Sequence, residues 1–209
     1  MKLLIIGATR GIGRRLLEQA LAEGHQVTVL VRSLRRLGLS HERLTVVEGD
    51  ILDPQAVARA VPGQDGVCVT IGVKPALKPV TVFSRGTENV IAAMNEFSVR
   101  TLVCVTGIGA GESKNHGGFL YDRIFKPLLL RRIYADKDRQ EEIIRRSGLD
   151  WVIVRPSFLT NGPLTGKYRV LTEQKGIKAR KISRADVAHF ILRELQETRY
   201  LGKALLLTY

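Results

Sequence analysis

Cysteines, prolines and long apolar runs are scarce in this sequence. It contains two cysteines and seven prolines among 209 residues, and no apolar run approaches the roughly 20 residues that span a bilayer. Cys68 and Cys104 each lie within an apolar, strand-like run, which predicts buried reduced thiols rather than a disulfide or a metal site. The apolar run at residues 3–6 ends at a glycine and is too short for a signal peptide. We therefore expect a cytoplasmic protein.

Acidic residues are also few relative to basic ones. The chain has 33 lysines and arginines against 20 aspartates and glutamates, a formal net charge of +13. The basic residues are spread along the chain without an aromatic platform or a nucleic-acid-binding motif, and the four histidines show no metal-ligand spacing. We expect most of these residues to form a basic solvated surface. Because a positive field concentrates anions, we expect a share of them to serve an anionic cofactor and an anionic small-molecule substrate. Membranes, nucleic acids and metals are not expected ligands, and we expect a monomer.

Apolar runs of strand length alternate with helical patterns along nearly the whole chain. The predicted strands are residues 2–6, 26–31, 44–48, 66–71, 101–106, 150–154 and 203–208. The predicted helices are residues 11–23, 54–61, 79–97, 119–131, 134–147 and 183–197. Residues 107–118 and 155–170 show no regular pattern. Apolar strands connected through helices predict an α/β fold with a doubly wound parallel sheet, of the Rossmann type. The absence of a linker or repeat predicts one domain over residues 1–209.

The segment GATRGIG, residues 7–13, follows the first apolar strand and leads into the first predicted helix. Glycines at Gly7, Gly11 and Gly13 allow a tight turn and a close approach of backbone N–H groups to a pyrophosphate. The start of the helix adds a partial positive charge. A glycine loop between a strand and a helix, followed by a second strand, predicts nucleotide binding.

The second strand, QVTVLVR, ends in a basic residue. A site specific for NAD usually places Asp or Glu there to hold the ribose 2′-hydroxyl. Arg32 can instead form a charge-assisted pair with a 2′-phosphate, Ser33 follows it, and Arg36 lies one turn further on. Arg10 can reach the same phosphate or the pyrophosphate, whereas we expect Arg35 to be solvated. The predicted cofactor is NADPH.

Two later strand ends also carry candidate cofactor contacts. Asp50 follows the third strand, where its carboxylate can accept a hydrogen bond from the adenine amine, and Ile51 can cover the ring. Thr70, Ile71 and Gly72 close the fourth strand, facing the ribose and nicotinamide side of the expected cleft.

The Tyr-x-x-x-Lys pair of most short-chain dehydrogenases is missing. In that pair the lysine lowers the pKa of the tyrosine so that it can exchange a proton. If Lys137 is the lysine, then Ile133 occupies the tyrosine position, and Tyr134 is rotated by about 100° around the helix. Tyr121 has no lysine four residues later. Lys137 and Tyr121 therefore stay secondary catalytic candidates.

Four segments resemble the atypical short-chain dehydrogenase/reductase superfamily, and within it the biliverdin IXβ reductases, also called flavin reductases. These segments are LKPVTVFSRGTENVIAAM at 77–94, SGLDW at 147–151, GPLTGKYRV at 162–170 and ISRADVAHFILREL at 182–195. The likeness covers nearly the whole chain. The sequence departs from that family at Arg10, where the family carries glycine, and in residues 107–118.

The resemblance implies an NADPH-dependent reductase of flavins and open-chain tetrapyrroles. It implies that Arg32 and Arg36 hold the 2′-phosphate, that Lys74 is a cation beside the substrate, and that the Thr106 hydroxyl lies near the nicotinamide. The predicted catalytic residues are thus Lys74, Thr106, Lys137 and Tyr121. The predicted cofactor-binding residues are Gly7, Thr9, Arg10, Gly11, Ile12, Gly13, Arg32, Ser33, Arg36, Asp50, Ile51, Thr70, Ile71, Gly72, Thr106 and Pro156.

Two other functions remain open at this point. The first is a non-catalytic protein that binds NADP, senses its redox state and regulates a partner, which also needs no Tyr-x-x-x-Lys pair. The second is a sugar-nucleotide epimerase, which normally needs that tyrosine and a longer C-terminal substrate domain.

Overall fold

A computed structural model of the protein describes residues 1–73, 79–108, 131–173 and 179–209. The predictions for Lys74, for Tyr121, for most of the loop 107–118 and for nearly all of the helix 119–131 therefore lie outside the described residues. Within these ranges, no helix is both long and apolar enough to cross a membrane.

Ten strands and five α-helices are described. The strands are β1 Lys2–Ile6, β2 Gln26–Val31, β3 Leu44–Glu48, β4 Gly66–Val69, β5 Thr101–Val105, β6 Asp150–Pro156, β7 Phe158–Thr160, β8 Arg169–Leu171, β9 Lys181–Ser183 and β10 Lys203–Thr208. The helices are α1 Gly11–Ala22, α2 Pro54–Ala60, α3 Val82–Glu96, α4 Arg131–Arg145 and α5 Arg184–Glu197, with a short 3-10 helix at Leu34–Arg36.

The main sheet has the strand order β3-β2-β1-β4-β5-β6-β10-β8. All neighbours are parallel except β8, which pairs antiparallel with β10 through partners such as Val170 and Leu207. The central strands β1 and β4 are apolar on both faces because helices cover both faces of the sheet. The prediction of a doubly wound, mostly parallel sheet is confirmed.

Two helical layers enclose this sheet. Helices α1 and α5 pack together on one face, where Leu16 and Ile191 belong to one apolar core. Helices α2, α3 and α4 cover the other face, with Val90 and Ile144 in a second core. Both layers direct their apolar stripes toward the sheet, which leaves the ends of the strands open for a binding site.

Capping residues fix the starts of two helices. The Asp53 carboxylate accepts a hydrogen bond from the Gln55 N–H at the start of α2, and Pro54 occupies the first helical position. The Ser183 hydroxyl accepts a hydrogen bond from the Asp186 N–H at the start of α5. A third helix start is capped by a residue from another helix. The N–H groups of Phe83 and Ser84 at the start of α3 donate to the buried Asp136 carboxylate of α4.

Several predicted boundaries were wrong. The segment 155–170 is not irregular: β6 extends to Pro156, and β7 and the start of β8 follow. Residues 181–183 form β9, which pairs with β7 in a separate two-stranded sheet. Helix α3 begins at Val82 rather than residue 79, and α4 spans Arg131–Arg145 rather than 134–147. The short strands were missed because their pairing partners are distant in the sequence.

Candidate functional site

The carboxyl ends of six neighbouring strands surround one cleft of about 1460 Å³. Strand β1 lies between β2 and β4. After β1 the chain forms β2 and β3 on one side of it and then crosses over to form β4 on the other side. Loops that diverge at such a switch point open a crevice in which α/β proteins bind ligands. The described segments after β1, β2, β3, β4, β5 and β6 all contribute to the cleft.

Most of the predicted site residues line this cleft. They are Gly7, Thr9, Arg10, Gly11, Ile12, Arg32, Ser33, Arg36, Asp50, Ile51, Thr70, Ile71, Gly72, Thr106, Lys137 and Pro156. The structure therefore brings together residues as distant in the sequence as Gly7 and Pro156.

Gly13 is the exception, because it lies behind the glycine loop rather than in the cleft. A Cβ atom at Gly13 would approach the Gly7 carbonyl oxygen and the Thr70 Oγ1 to 2.3 Å. No side chain fits at that distance, so this glycine lets α1 pack directly against the loop. Gly13 therefore serves close packing, which shapes the turn that would hold a phosphate, and its predicted contact with the cofactor stays a prediction.

The charge of the cleft is strongly positive. Among the described residues, five cationic side chains line it and one carboxylate, Asp50, does so; the cations are Arg10, Arg32, Arg36, Lys137 and Arg184. Arg32 and Arg36 are exposed at the end of β2, where an acidic residue would select against a 2′-phosphate. Arg35 is exposed and does not line the cleft, in agreement with the prediction that it is solvated.

Two of the predicted contacts already have partners within the protein. One Arg10 nitrogen, Nη2, donates to the Gly72 carbonyl oxygen at 3.2 Å, which connects the glycine loop to the end of β4. The Asp50 Oδ1 accepts from the Leu52 N–H at 3.0 Å. Asp50 therefore retains its second carboxylate oxygen for a donor such as the adenine amine.

Helix α3 packs closely against Ile51. A Cβ at Gly86 would lie 2.9 Å from three Ile51 side-chain atoms, and the Asn89 side chain donates to the Ile51 carbonyl oxygen at 2.9 Å. Ile51 is thereby held rigidly in the cleft wall, where an apolar side chain can cover a ring.

A buried polar network lies at the other end of the cleft, where β5 ends. The Thr106 hydroxyl donates to the Glu141 carboxylate at 2.7 Å, and Glu141 also accepts two hydrogen bonds from the Arg155 guanidinium. Arg155 and Glu141 are both buried. Because the Glu141 carboxylate can only accept hydrogen bonds, the single hydroxyl proton of Thr106 is used in the bond to Glu141. Toward the cleft, Thr106 can therefore accept a hydrogen bond but cannot donate one.

Lys137 joins this network from one turn earlier in α4. Its ammonium group donates to the Thr106 carbonyl oxygen and lies 4.8 Å from the centroid of the Phe83 ring. Burial lowers the pKa of Lys137 to about 8, although Cys104 and Glu141 oppose that shift. A lysine with this pKa is a cation at neutral pH and releases its proton at a lower pH than an exposed lysine does. It is thus suited to stabilise negative charge at this end of the cleft.

The cleft also contains residues that the sequence reasoning missed. Tyr134 lines it, although this residue lies one position after the tyrosine position of a Tyr-x-x-x-Lys pair. The Tyr134 hydroxyl donates to the Ile108 carbonyl oxygen at 2.8 Å. Ser157, Phe158 and Asn161 enter from the segment after β6, and Arg184 enters from the start of α5. The only sequence signal for Ser157, Phe158 and Asn161 was that their segment follows a predicted strand at the end of the sheet where ligands bind. Arg184 had no such signal.

The glycine loop, the arginines after β2 and the switch-point cleft together suit a dinucleotide cofactor. A family model described as NAD(P)H-binding matches residues 7–198. The chain belongs to this NAD(P)H-binding family. The prediction of a nicotinamide dinucleotide as cofactor is confirmed, whereas the role of each individual residue remains a prediction.

Curated proteins similar to this chain carry different descriptions. The chain is 29% identical to a Bacillus subtilis protein described as an uncharacterised sugar epimerase, over the whole chain and 94% of that protein. It is 28% identical to the photosystem II assembly factor Ycf39 of Synechocystis, over 81% of this chain and 48% of that one.

Two solved structures show the same fold. A short-chain dehydrogenase/reductase of Veillonella parvula in complex with NADP has a TM-score of 0.84 and 21% identity, over the whole chain and 94% of that protein. ChuY of Escherichia coli O157:H7, described as an anaerobillin reductase, has a TM-score of 0.80 and 24% identity, over the whole chain and 97% of that protein.

Proposed function

We propose that this protein is an NADPH-dependent reductase that transfers hydride to flavins such as FMN, FAD and riboflavin, or to open-chain tetrapyrroles such as biliverdin. The observation that carries the proposal is the continuity of the cleft, which extends from the arginines after β2 to the Thr106 and Lys137 network. It is lined by five cations and one carboxylate among the described residues. Such a cleft favours an anionic cofactor and an anionic acceptor over neutral ones.

The arginine end supports NADPH rather than NADH. Arg32 and Arg36 are exposed, face the cleft and form no ion pair with an acidic residue in the described part of the chain. A guanidinium pair of this kind can hold a 2′-phosphate by charge-assisted hydrogen bonds.

The opposite end suits an acceptor with an extended apolar surface. Val73, Phe158 and Leu159 line the cleft and are each more than one third exposed. Exposed apolar surface inside a concave site commonly marks where a ligand packs. The fused rings of a flavin and the conjugated rings of a bilin both provide such a surface.

The bound cofactor supplies the hydride, and the chain's own residues must orient the reactants and stabilise charge. A conjugated acceptor spreads the negative charge it gains and can take its proton from water, so the missing tyrosine is no obstacle. Lys137 is the described cation nearest Thr106, and Lys74 is the cation that the family resemblance adds. Thr106 accepts a hydrogen bond from an N–H donor of the ligand, because its own proton is committed to Glu141. Pre-positioned groups of this kind lower the barrier without reorganising during the reaction.

The test is NADPH oxidation by purified protein offered FMN, FAD, riboflavin and biliverdin in parallel, with NADH as the matched control. Turnover of one or more acceptors, faster with NADPH than with NADH, is the expected result. If the protein binds NADPH but none of the four acceptors causes its oxidation, the reductase function is contradicted.

One other function has an observation in its favour. The relative Ycf39 is described as an assembly factor, and the chain lacks the Tyr-x-x-x-Lys pair. A non-catalytic protein that binds NADP and regulates a partner would show tight NADPH binding and no turnover in the same assay. Either function is consistent with the cytoplasmic location and monomeric state that we propose.

A further inference from the structure

Arg184 comes from the C-terminal part of the chain but lies beside the N-terminal glycine loop. It is the first residue of α5, directly after the capping residue Ser183. Helix α5 packs along α1, and the Gln19 side chain of α1 donates to the Ala185 carbonyl oxygen at 3.0 Å. This packing fixes the start of α5 next to the start of α1, where the glycine loop ends.

The Arg184 side chain points toward that loop. A Cβ placed on Gly11 would lie 4.0 Å from the Arg184 Nε, which is the nearest atom outside the neighbouring residues and the backbone of α1. Gly11 has a φ of +64°, a conformation that glycine adopts without strain. Arg184 and Gly11 both line the cleft, so the guanidinium and the loop backbone form two walls of one space.

The guanidinium is oriented but not neutralised. Its Nη1 donates to the Asn161 Oδ1 at 2.9 Å, and Asn161 itself lines the cleft. In the described part of the chain, no carboxylate pairs with Arg184, and the residue is half-buried. An arginine has five N–H donors, so most of them remain available to an anion between Arg184 and Gly11.

We propose that Arg184 binds the pyrophosphate of the cofactor, opposite the glycine loop. The inference rests on the NAD(P)H-binding family and not on the proposed reductase activity. The loop at Gly11 is where backbone N–H groups and the start of a helix attract phosphate. The 2′-phosphate is assigned to Arg32 and Arg36 at the end of β2. The pyrophosphate is therefore the anion that lies within reach of both Gly11 and Arg184.

The consequence is that the C-terminal segment closes the cofactor site. Asn161 follows β7, Arg184 follows β9, and these two strands pair with each other. The small two-stranded sheet thus holds both members of the Asn161–Arg184 pair in position. Its role is to complete a phosphate site that the N-terminal half of the chain begins.

The test compares Arg184→Ala with wild type in equilibrium binding of NADPH, NADH, ADP-ribose and 2′-AMP. The first three ligands contain the pyrophosphate and the fourth does not. The expected result is a loss of roughly tenfold or more for all three pyrophosphate ligands, with unchanged binding of 2′-AMP. Arg35→Ala removes the same charge from an exposed position outside the cleft and should leave all four affinities unchanged.

Arg32→Ala provides the opposite pattern, because it should weaken NADPH and 2′-AMP but not NADH or ADP-ribose. Unchanged affinity of Arg184→Ala for ADP-ribose, or a loss confined to NADPH and 2′-AMP, would overturn the assignment. If Arg184→Ala does not fold, Arg184→Gln decides the same question, since it keeps a long side chain with a donor toward Asn161. These readouts are binding constants, so they stand whether or not any acceptor is reduced.

Discussion

Replacement of Glu141 by Gln should destabilise the protein far more than the same replacement at the next residue. The Glu141 carboxylate pairs with the Arg155 guanidinium, and the two side chains are 3% and 0% exposed. The Glu141→Gln variant leaves the buried Arg155 charge without this carboxylate, and it also takes the charged acceptor from the Thr106 hydroxyl. Removing one partner of a buried ion pair typically costs about 3–5 kcal/mol.

That cost is large against the total stability of a domain, which is about 5–15 kcal/mol. The matched control is Glu142→Gln in the same helix. Glu142 pairs with Arg146 at 2.6 Å, but the side chains are 57% and 78% exposed. An exposed pair of this kind contributes about 0–1 kcal/mol because water and salt screen it.

The assay is urea unfolding followed by far-ultraviolet circular dichroism and by the fluorescence of Trp151, the only tryptophan in the chain. We expect Glu141→Gln to lose about 3 kcal/mol more than Glu142→Gln, with the same dependence on urea concentration. If the two variants unfold at the same midpoint, the buried network does not hold the end of β5, and the placement of Thr106 loses its support.

Three further changes test the site. Arg32→Ala should lower the affinity for NADPH by about 1–3 kcal/mol and leave that for NADH unchanged, whereas Arg35→Ala should change neither; equal weakening of both cofactors would refute the 2′-phosphate assignment. Lys74→Ala should lower the turnover of the acceptor while NADPH binding stays nearly intact, and unchanged turnover would remove Lys74 from the catalytic residues. Burial lowers the pKa of Lys137 from 10.5 to about 8, so the unfolded chain binds more protons than the folded chain between those pH values, and stability rises with pH there. Wild type should therefore gain unfolding free energy over Lys137→Met across that window, and parallel pH profiles would contradict the buried lysine.

The central fold was predictable because its signals are local. Each central strand is an apolar run, and each helix repeats its apolar residues at helical spacing, so a parallel sheet covered by helices follows from the alternation itself. The glycine loop and the end of β2 were predictable for the same reason, since both lie within the first 36 residues. What those signals could not supply was pairing between short distant segments. Strands β7, β8 and β9 have three residues each and depend on partners elsewhere in the chain.

The missed site residues have the same physical origin. Arg184 lies beside Gly11 only because α5 packs on α1, a contact between the two ends of the chain. Tyr134 was set aside because its position is rotated by about 100° from that of the usual tyrosine. In the structure Ile133 is buried and Tyr134 lines the cleft instead, because the way α4 lies on the sheet decides which side faces the ligand. A sequence pattern fixes the spacing along a helix but not the rotation of that helix.

The most direct test of the proposed function is a single-turnover measurement. The protein is loaded with one equivalent of NADPH, mixed with an excess of FMN or biliverdin, and the near-ultraviolet absorbance of NADPH is followed with time. The reductase predicts complete loss of that absorbance, much faster than in a mixture without protein. Persistence of the absorbance with both acceptors, in a protein shown by titration to bind NADPH, would contradict hydride transfer in this cleft and favour the regulatory function.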